Sequence, residues 1–499
     1  MSLETISLPV ERSSPSVPRP LGRTSVGWAM LATVSVGYFL VSWGMAPVAA
    51  ILPTISDDLT IDVTAAGWVM NSYFVLLVGT LLIVGRIGDL FGHRRVFALG
   101  IVVFGLGSVG AGLSNALAPL VVARAVQGLG AAMVYGTSLA LVVEAAPRER
   151  RGLAVGILTM SSGLSSLLGV AFTSYAAQYL SWHWAFFLSV PLALGALAYA
   201  WRLPEKARLG PRPRIDWQGG VLLFAGLTVA LLSLNHLHEG EQSFRQGAHY
   251  HLPMHTLAAV LLGAFVWVEL RVPQPLLQLG MLRDARFGGG VLANGIAHMS
   301  MLASSFLLPF LLERGRDLNP TDTGRLLVAM QFSMVVCALV AGWMYDRSRS
   351  PALGWATLGA IAGGLTVLGL IGASLPYAIL VGLGGLLGAG LGGFTAVNNT
   401  AVMSGAPHDK LGFASGMVET TRQLGHSVGV SLSSSIMASA LAGVAIVDLP
   451  AAYADGFQRA ALAMGILATL GLLAIVLPNL PRRGAGGVRP AAAPVVSGR

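Results

Sequence analysis

The chain contains one cysteine, Cys337, set inside an apolar run, so neither an intramolecular disulfide nor a multi-cysteine metal centre can form. Charge is scarce as well. Charged residues make up 11% of the 499 and hydrophobic ones 54%, where a soluble domain carries about a quarter charged residues. A water-soluble fold could not hide that much apolar surface. Lysine is almost missing, with only Lys206 and Lys410 present, and the other basic residues are arginines.

What the chain has instead is long apolar runs. A helix needs about 20 mostly apolar residues to cross the hydrocarbon of a bilayer. On that rule about fourteen spans are expected, near residues 27–52, 67–87, 96–113, 118–144, 153–178, 183–201, 217–237, 255–270, 288–312, 323–345, 353–373, 377–402, 413–441 and 457–477. The net charge of +9 would suggest a nucleic-acid partner in a soluble protein. Here most of the basic residues fall in alternate loops, among them Arg148, Arg150, Arg208, Arg212, Arg214, Arg283, Arg286, Arg482 and Arg483. That alternation is the positive-inside signal, so the charge reports topology and no nucleic-acid partner is expected. It places both termini of a multi-pass protein in the cytoplasm, and the expected location is the bacterial inner membrane. Residues 1–25 are polar and proline-containing and read as a disordered cytoplasmic tail.

The densest local pattern is Gly85-Arg86-Ile87-Gly88-Asp89-Leu90-Phe91-Gly92-His93-Arg94-Arg95, after the second expected span. Gly85 and Gly88 permit close helix packing, Gly92 a tight turn, and Asp89 with Arg94 a separable charge pair at the membrane edge. An echo follows the tenth span, where Gly342 again stands four residues before Asp346, itself followed by Arg347. The echo points to an internal repeat. In the fourth span, Arg124-Ala-Val-Gln127-Gly128-Leu-Gly130 puts a charge in hydrocarbon. On insertion scales that costs about 2.5–3.5 kcal/mol, so the side chain must face a partner or a cavity.

The loop and the fourth-span pattern, together with Trp182-His183-Trp184 and Asp216-Trp217-Gln-Gly219, resemble the major facilitator superfamily, in its fourteen-spanning drug:proton antiporter branch. The resemblance covers nearly the whole chain. It implies an all-α polytopic membrane protein of two six-helix bundles plus two extra helices, driven by a proton gradient and needing no cofactor. The implied layout is a tail at 1–25, a first bundle at 26–202, a linker with two inserted helices at 203–275, a second bundle at 276–480 and a tail at 481–499. It also implies a gating role for Gly85, Gly88, Asp89, Gly92, Arg94 and Arg95, with Asp346 and Arg347 as their repeat.

Two departures from the family pattern stand out. The branch's fifth-helix Gly-Pro-x-x-Gly-Gly falls on Gly169-Val170-Ala171-Phe172-Thr173-Ser174, without the proline or the later glycines, so this helix should be straighter and less tightly packed. The acid usual in the first span is replaced by Gly44. A transported proton must then use another group, and the candidates are Arg124, Glu419, Arg422 and His298. Substrate-cavity candidates are Tyr38, Trp43, Asn71, Gln127, Gln331, Asn398 and Asn399, the amides being equally suited to interhelical hydrogen bonding.

His236, His238, His249, His251 and His255, with Glu239 and Glu241, surround one loop, but their spacing matches no standard zinc pattern and no metal site is assigned. The function expected is secondary active transport, proton-coupled export of amphiphilic small molecules by alternating access. Proton-coupled uptake of a small solute is the alternative, and a membrane sensor or enzyme a remote one. Partners are a small amphiphilic solute and membrane lipid, and a monomer is expected.

Overall fold

A computed structural model describes residues 23–145, 151–201, 216–234, 248–273, 275–407 and 411–480. Residues 1–22 of the expected first tail, the expected last tail, the basic linker at 202–215, and His236, His238, Glu239 and Glu241 lie outside the described residues, whereas residues 23–25, expected in the tail, begin the first helix. Within them there is no strand, only helices and short connections. Seventeen α-helices follow one another: α1 Arg23–Ser42, α2 Ala46–Ala49, α3 Leu52–Asp58, α4 Val63–Phe91, α5 His93–Gly112, α6 Leu117–Ala145, α7 Arg151–Tyr179, α8 Trp184–Phe187, α9 Ser189–Ala200, α10 Trp217–Leu234, α11 Ala248–Glu269, α12 Ala285–Pro309, α13 Pro320–Ser348, α14 Ala352–Ile371, α15 Tyr377–Gly405, α16 Leu411–Leu441 and α17 Leu449–Val476.

Helices stand at all fourteen expected positions, and 12 of them are long and apolar enough to cross a membrane. The other two positions hold the shorter apolar pair α8 and α9 and the 31-residue α16, which carries Glu419, Arg422, Gln423 and His426. Local chemistry sets several boundaries. Asp62, Asp284 and Asn319 cap α4, α12 and α13 by accepting backbone N–H groups that the first turn leaves unpaired. Gly92, at φ 98°, makes the turn between α4 and α5 that a side chain would strain.

The first expected span is not one helix. Pro47 and Pro53 cannot donate to the preceding turn, and the chain breaks into α1, α2 and α3. In hydrocarbon the freed carbonyls must be satisfied from within the protein. Arg124 donates to Gly44 O at 2.7 Å and Thr173 to Pro47 O at 2.9 Å, while Tyr73 and Ser165 add to Val41 O at 2.9 Å and Phe39 O at 2.6 Å, which also accept from the backbone of Gly44 and Trp43. The expected fifth helix, α7, is continuous over 29 residues, in keeping with its missing proline. It is nevertheless closely packed at one point, where Gly169 abuts Pro47 and Trp43.

The repeat seen in the loop motif extends into the packing. Gly128 of α6 lies against the carbonyl of Tyr73 in α4, and Gly388 of α15 against the carbonyl of Met330 in α13. Tyr73 precedes Asp89 by the same sixteen residues that separate Met330 from Asp346. Eight residues beyond each glycine the match recurs, Gly85 meeting Gly136 and Gly342 meeting Ala396. The two halves therefore repeat one helix arrangement, and they touch chiefly through α4 on α16 and α7 on α13.

Since any side chain at position 128 meets a backbone oxygen that cannot move aside, Gly128→Ala should destabilise by about 1–3 kcal/mol. Gly363→Ala, where a methyl meets nothing within 4 Å, should leave stability unchanged or slightly raised. Thermal unfolding of the two variants in detergent, compared with the parent, checks this difference.

Candidate functional site

The polar residues of the spans separate into three groups. Inside the first half, Arg124 is fully buried and donates to Val69 O at 2.8 Å, Gln127 Oε1 at 2.8 Å and Gly44 O at 2.7 Å, with its guanidinium 4.6 Å from the Tyr73 ring centre. Gln127 passes the chain on to Ser108 at 2.8 Å. Every one of these acceptors is a carbonyl, an amide or a hydroxyl. Arg124 thus clamps the break after α1 onto α4 and α6. Trp43 is also buried in this half, its Nε1 donating to Ala185 O at 2.8 Å.

The second group lies where the halves meet. Asn71 of α4 donates to Ser431 of α16 at 3.0 Å, and Ser427 donates back to Asn71 at 3.4 Å. One helical turn and more along α16, Arg422 Nη1 lies 3.2 Å from Glu419 Oε2, both side chains mostly buried. The pair is on one helix face because residues three apart are neighbours. Tyr38 of α1, in the other half, is close enough to feel the charges of Glu419 and Arg422. Beside it, Tyr38 packs edge-on to Tyr135 at 4.6 Å, and Tyr135 and Ser162 share hydrogen bonds with Ser42, each 2.9 Å long.

From this pair a hydrogen-bonded chain runs into the second half. Gln423 Nε2 donates to Glu419 at 2.7 Å, His426 Nδ1 faces Gln423 Oε1 at 3.2 Å, and His298 Nδ1 faces His426 Nε2 at 3.2 Å. Thr395 Oγ1 ends it, 3.4 Å from His298 Nε2. Because Gln423 Oε1 can only accept, His426 donates from Nδ1 and accepts from His298 at Nε2. Glu419, Gln423, His426 and His298 so form one connected network between the interface and the second bundle. Sequence alone does not single out Gln423, His426, Tyr135 or Ser42. The i, i+4, i+7 spacing of Glu419, Gln423 and His426 was the available signal, one stripe on one helix.

The third group stays inside the second half. Asn398 donates to Gly290 O at 3.1 Å. Gln331 is 1% exposed with neither amide atom hydrogen-bonded, and it lines a narrow crevice with Ser300, Ser304, Met330 and Met334. Asn399 Oδ1 is likewise buried without a partner. Of the cavity candidates, then, only Tyr38 approaches Glu419 and Arg422, while Asn71 lies further along the same interface.

At the signature loop, Asp89 is 3.7 Å from Arg86 and 3.2 Å from His93. Arg94, expected beside Asp89, donates instead to the carbonyls of Ala200 and Trp201, tying α5 to the end of α9. Arg86 donates to Pro275 O, at the end of the inserted segment, at 3.1 Å, and reaches the second half at Phe413, whose ring centre is 5.4 Å away. Gly88 packs on Thr137 and His93. In the repeat, Asp346 is 3.9 Å from Arg349 and Arg347 stacks on Trp343 at 3.8 Å, all exposed. At the opposite end of α4 a second link joins the halves, an ion pair of Arg314 with Asp57. Next to it Arg316 donates to the carbonyls of Gly372, Ala373 and Leu375, and partial burial lowers its guanidinium from the ordinary value.

Around the inserted helices, His251 and His255 both approach Ser233, at 3.2 and 2.8 Å. Among the described residues no three potential ligands gather as a metal would require.

The chain is 31% identical over 410 residues to the uncharacterized transporter YebQ of Escherichia coli, spanning 81% of this chain and 88% of that protein. It is 27% identical over 421 residues to the riboflavin transporter RibZ of Clostridioides difficile, 83% and 89% of the two chains. It is 31% identical over 485 residues to the cephamycin export protein CmcT of Amycolatopsis lactamdurans, 93% and 96%. A solved chain from work on proton dependent oligopeptide transporters has the same fold, with a TM-score of 0.62 at 16% identity over 90% of this chain and 98% of its own. The Major Facilitator Superfamily profile matches residues 34–430 and again 291–497. With those matches covering most of its length, and with two halves repeating one helix arrangement, the chain is a transporter of the Major Facilitator Superfamily.

Proposed function

We propose that the protein is a fourteen-spanning, proton-coupled exporter of amphiphilic small molecules in a bacterial inner membrane. The observation that carries the reading is the Glu419–Arg422 pair at the meeting of the halves, under Tyr38 and joined through Gln423 to His426 and His298. Glu419 is the proton carrier in place of the absent first-span acid. Protonated, it releases Arg422, whose charge then turns to Tyr38 or to a solute. Ionised, it holds Arg422 and the site closes to protons.

The supporting relative is the cephamycin exporter, matched along 96% of its length. Tyr38, Tyr135 and the apolar side chains around them suit an amphiphilic solute, having flat apolar faces and hydroxyl tips. Two cross-half links support alternating access, Arg86 with Phe413 at one end of α4 and Arg314 with Asp57 at the other. Rocking about the central Asn71–Ser431 contact breaks one link while keeping the other. Arg124 has a supporting role, holding the broken first span in shape.

Glu419→Gln keeps the geometry and removes the titration. In proteoliposomes it should abolish solute movement driven by a pH gradient, at least tenfold below the parent, while solute counterflow persists. Loss of both together, or of neither, argues against Glu419 as the carrier. Asp89→Asn should insert normally yet depress transport, with parental rates in the purified variant contradicting a gating role. Arg124→Lys cannot reach three acceptors at once, so it should lower the melting temperature as well as the rate.

A further inference from the structure

The repeat of the signature loop, around Asp346 and Arg347, has surroundings unlike those of the original. In the first half the residue after Gly85 is Arg86, which reaches α16 at Phe413. In the second half the residue after Gly342 is Trp343, 58% exposed. It belongs to an outward stripe of α13, since Phe332, Val336, Leu339, Val340 and Trp343 recur at helical spacing and are all exposed. An exposed apolar stripe on a spanning helix faces lipid, and a tryptophan near its end marks the level of the headgroups. Arg347 follows one turn later, its guanidinium 3.8 Å from the Trp343 ring centre.

Between the end of α13 and the start of α14 runs an open groove of about 460 Å³, whose lining includes Trp343, Arg347, Ser348, Ser350, Leu353 and Ala356. One end is apolar and the other polar. The polar end has donors without acceptors. Arg347 makes no hydrogen bond or ion pair among the described residues, only its stack on Trp343. Ser348 Oγ accepts the N–H of Ser350 and Ser350 Oγ that of Ala352, each at 3.3 Å, so both hydroxyls still have a proton to donate. Asp346, next to Arg347 in the chain, does not line the groove and lies 3.9 Å from Arg349. A guanidinium and two hydroxyls, with no carboxylate in the lining, match an anion that can only accept and offer an ammonium no anionic partner.

We propose that this groove binds an anionic phospholipid of the leaflet in which α13 ends. Its phosphodiester accepts from Arg347 and from the hydroxyls of Ser348 and Ser350, while an acyl chain lies along Trp343, Leu353 and Ala356. Stacking on Trp343 holds the guanidinium in place beforehand, which reduces the side-chain freedom lost on binding. The repeat of the loop thereby ties the second half to the membrane, where the original ties the first half to the second through Arg86 and Phe413.

The test uses the full chain in phosphatidylethanolamine vesicles and reads lipid contact alone, so its outcome is independent of the proposed export. A small fraction of phosphatidylglycerol or of phosphatidylethanolamine, each with the same photoreactive acyl chain, is added, and labelled residues are mapped by mass spectrometry. Segment 343–356 should be labelled about fivefold more by the phosphatidylglycerol probe, the worth of one arginine at an anionic membrane surface. Arg347→Ala should remove that preference, and Ser348→Ala combined with Ser350→Ala should lower it in part. Arg325→Ala, at the other end of α13, should keep it. Equal labelling of the segment by the two probes in the parent would mark lipid packed without selection and overturn the proposal. So would a preference that survives Arg347→Ala, or one abolished by inorganic phosphate but not by chloride at the same ionic strength, which would mark a site for a free anion instead.

Discussion

A charge placed in hydrocarbon must find a partner inside the protein, and that requirement organises this structure more than any other. Arg124 meets it with carbonyls and an amide and Glu419 and Arg422 with one another, while at the end of α4 Arg314 pairs with Asp57 across the two halves. The three solutions have different consequences. A guanidinium ringed by backbone acceptors has nothing to exchange and acts as a clamp. An ion pair between neighbouring residues can trade one member for a proton or a solute, and an ion pair between halves can be broken by moving them.

The same requirement applies to the backbone. The first span breaks at two prolines, and side chains from α4, α6 and α7 donate to four carbonyls along it. That irregular stretch is tolerated at membrane depth only because it is enclosed by protein. It also brings Tyr38 and Ser42 beside Tyr135 and Ser162, so a break in regular structure furnishes the hydroxyl-rich wall opposite Glu419 and Arg422. Close approach of the helices depends on glycine, and its recurrence at Gly128 and Gly388, each in register with its own loop aspartate, ties the repeat to packing as well as to sequence.

Much of this was legible in the chain itself. Apolar run length located every long helix, because the hydrocarbon thickness admits few other solutions. Asp62, Asp284 and Asn319 stand where capping chemistry puts them. The break in the first span was written in Pro47 and Pro53 but masked by continuous hydrophobicity. The site was harder to read. Asn71 and Asn398 are the same residue type at similar depth, yet one joins the two halves and the other secures α15 to α12. Only the packing of α4 on α16 separates these roles. Arg94 illustrates the same limit, since adjacency to Asp89 in the motif did not decide where a long side chain would find its carbonyls. His426 went unnoticed because its importance comes from His298, which is 128 residues away in the chain.

The account rests on coupling between solute movement and a proton held at Glu419. The most direct measurement is flux of a panel of amphiphilic solutes by the purified protein in liposomes, with and without an imposed pH gradient. At least one solute should move against its own gradient in the direction opposite to proton flow, and that movement should stop when an ionophore collapses the pH difference. Solute flux that is indifferent to the pH gradient, or that runs in the same direction as the protons, would contradict it.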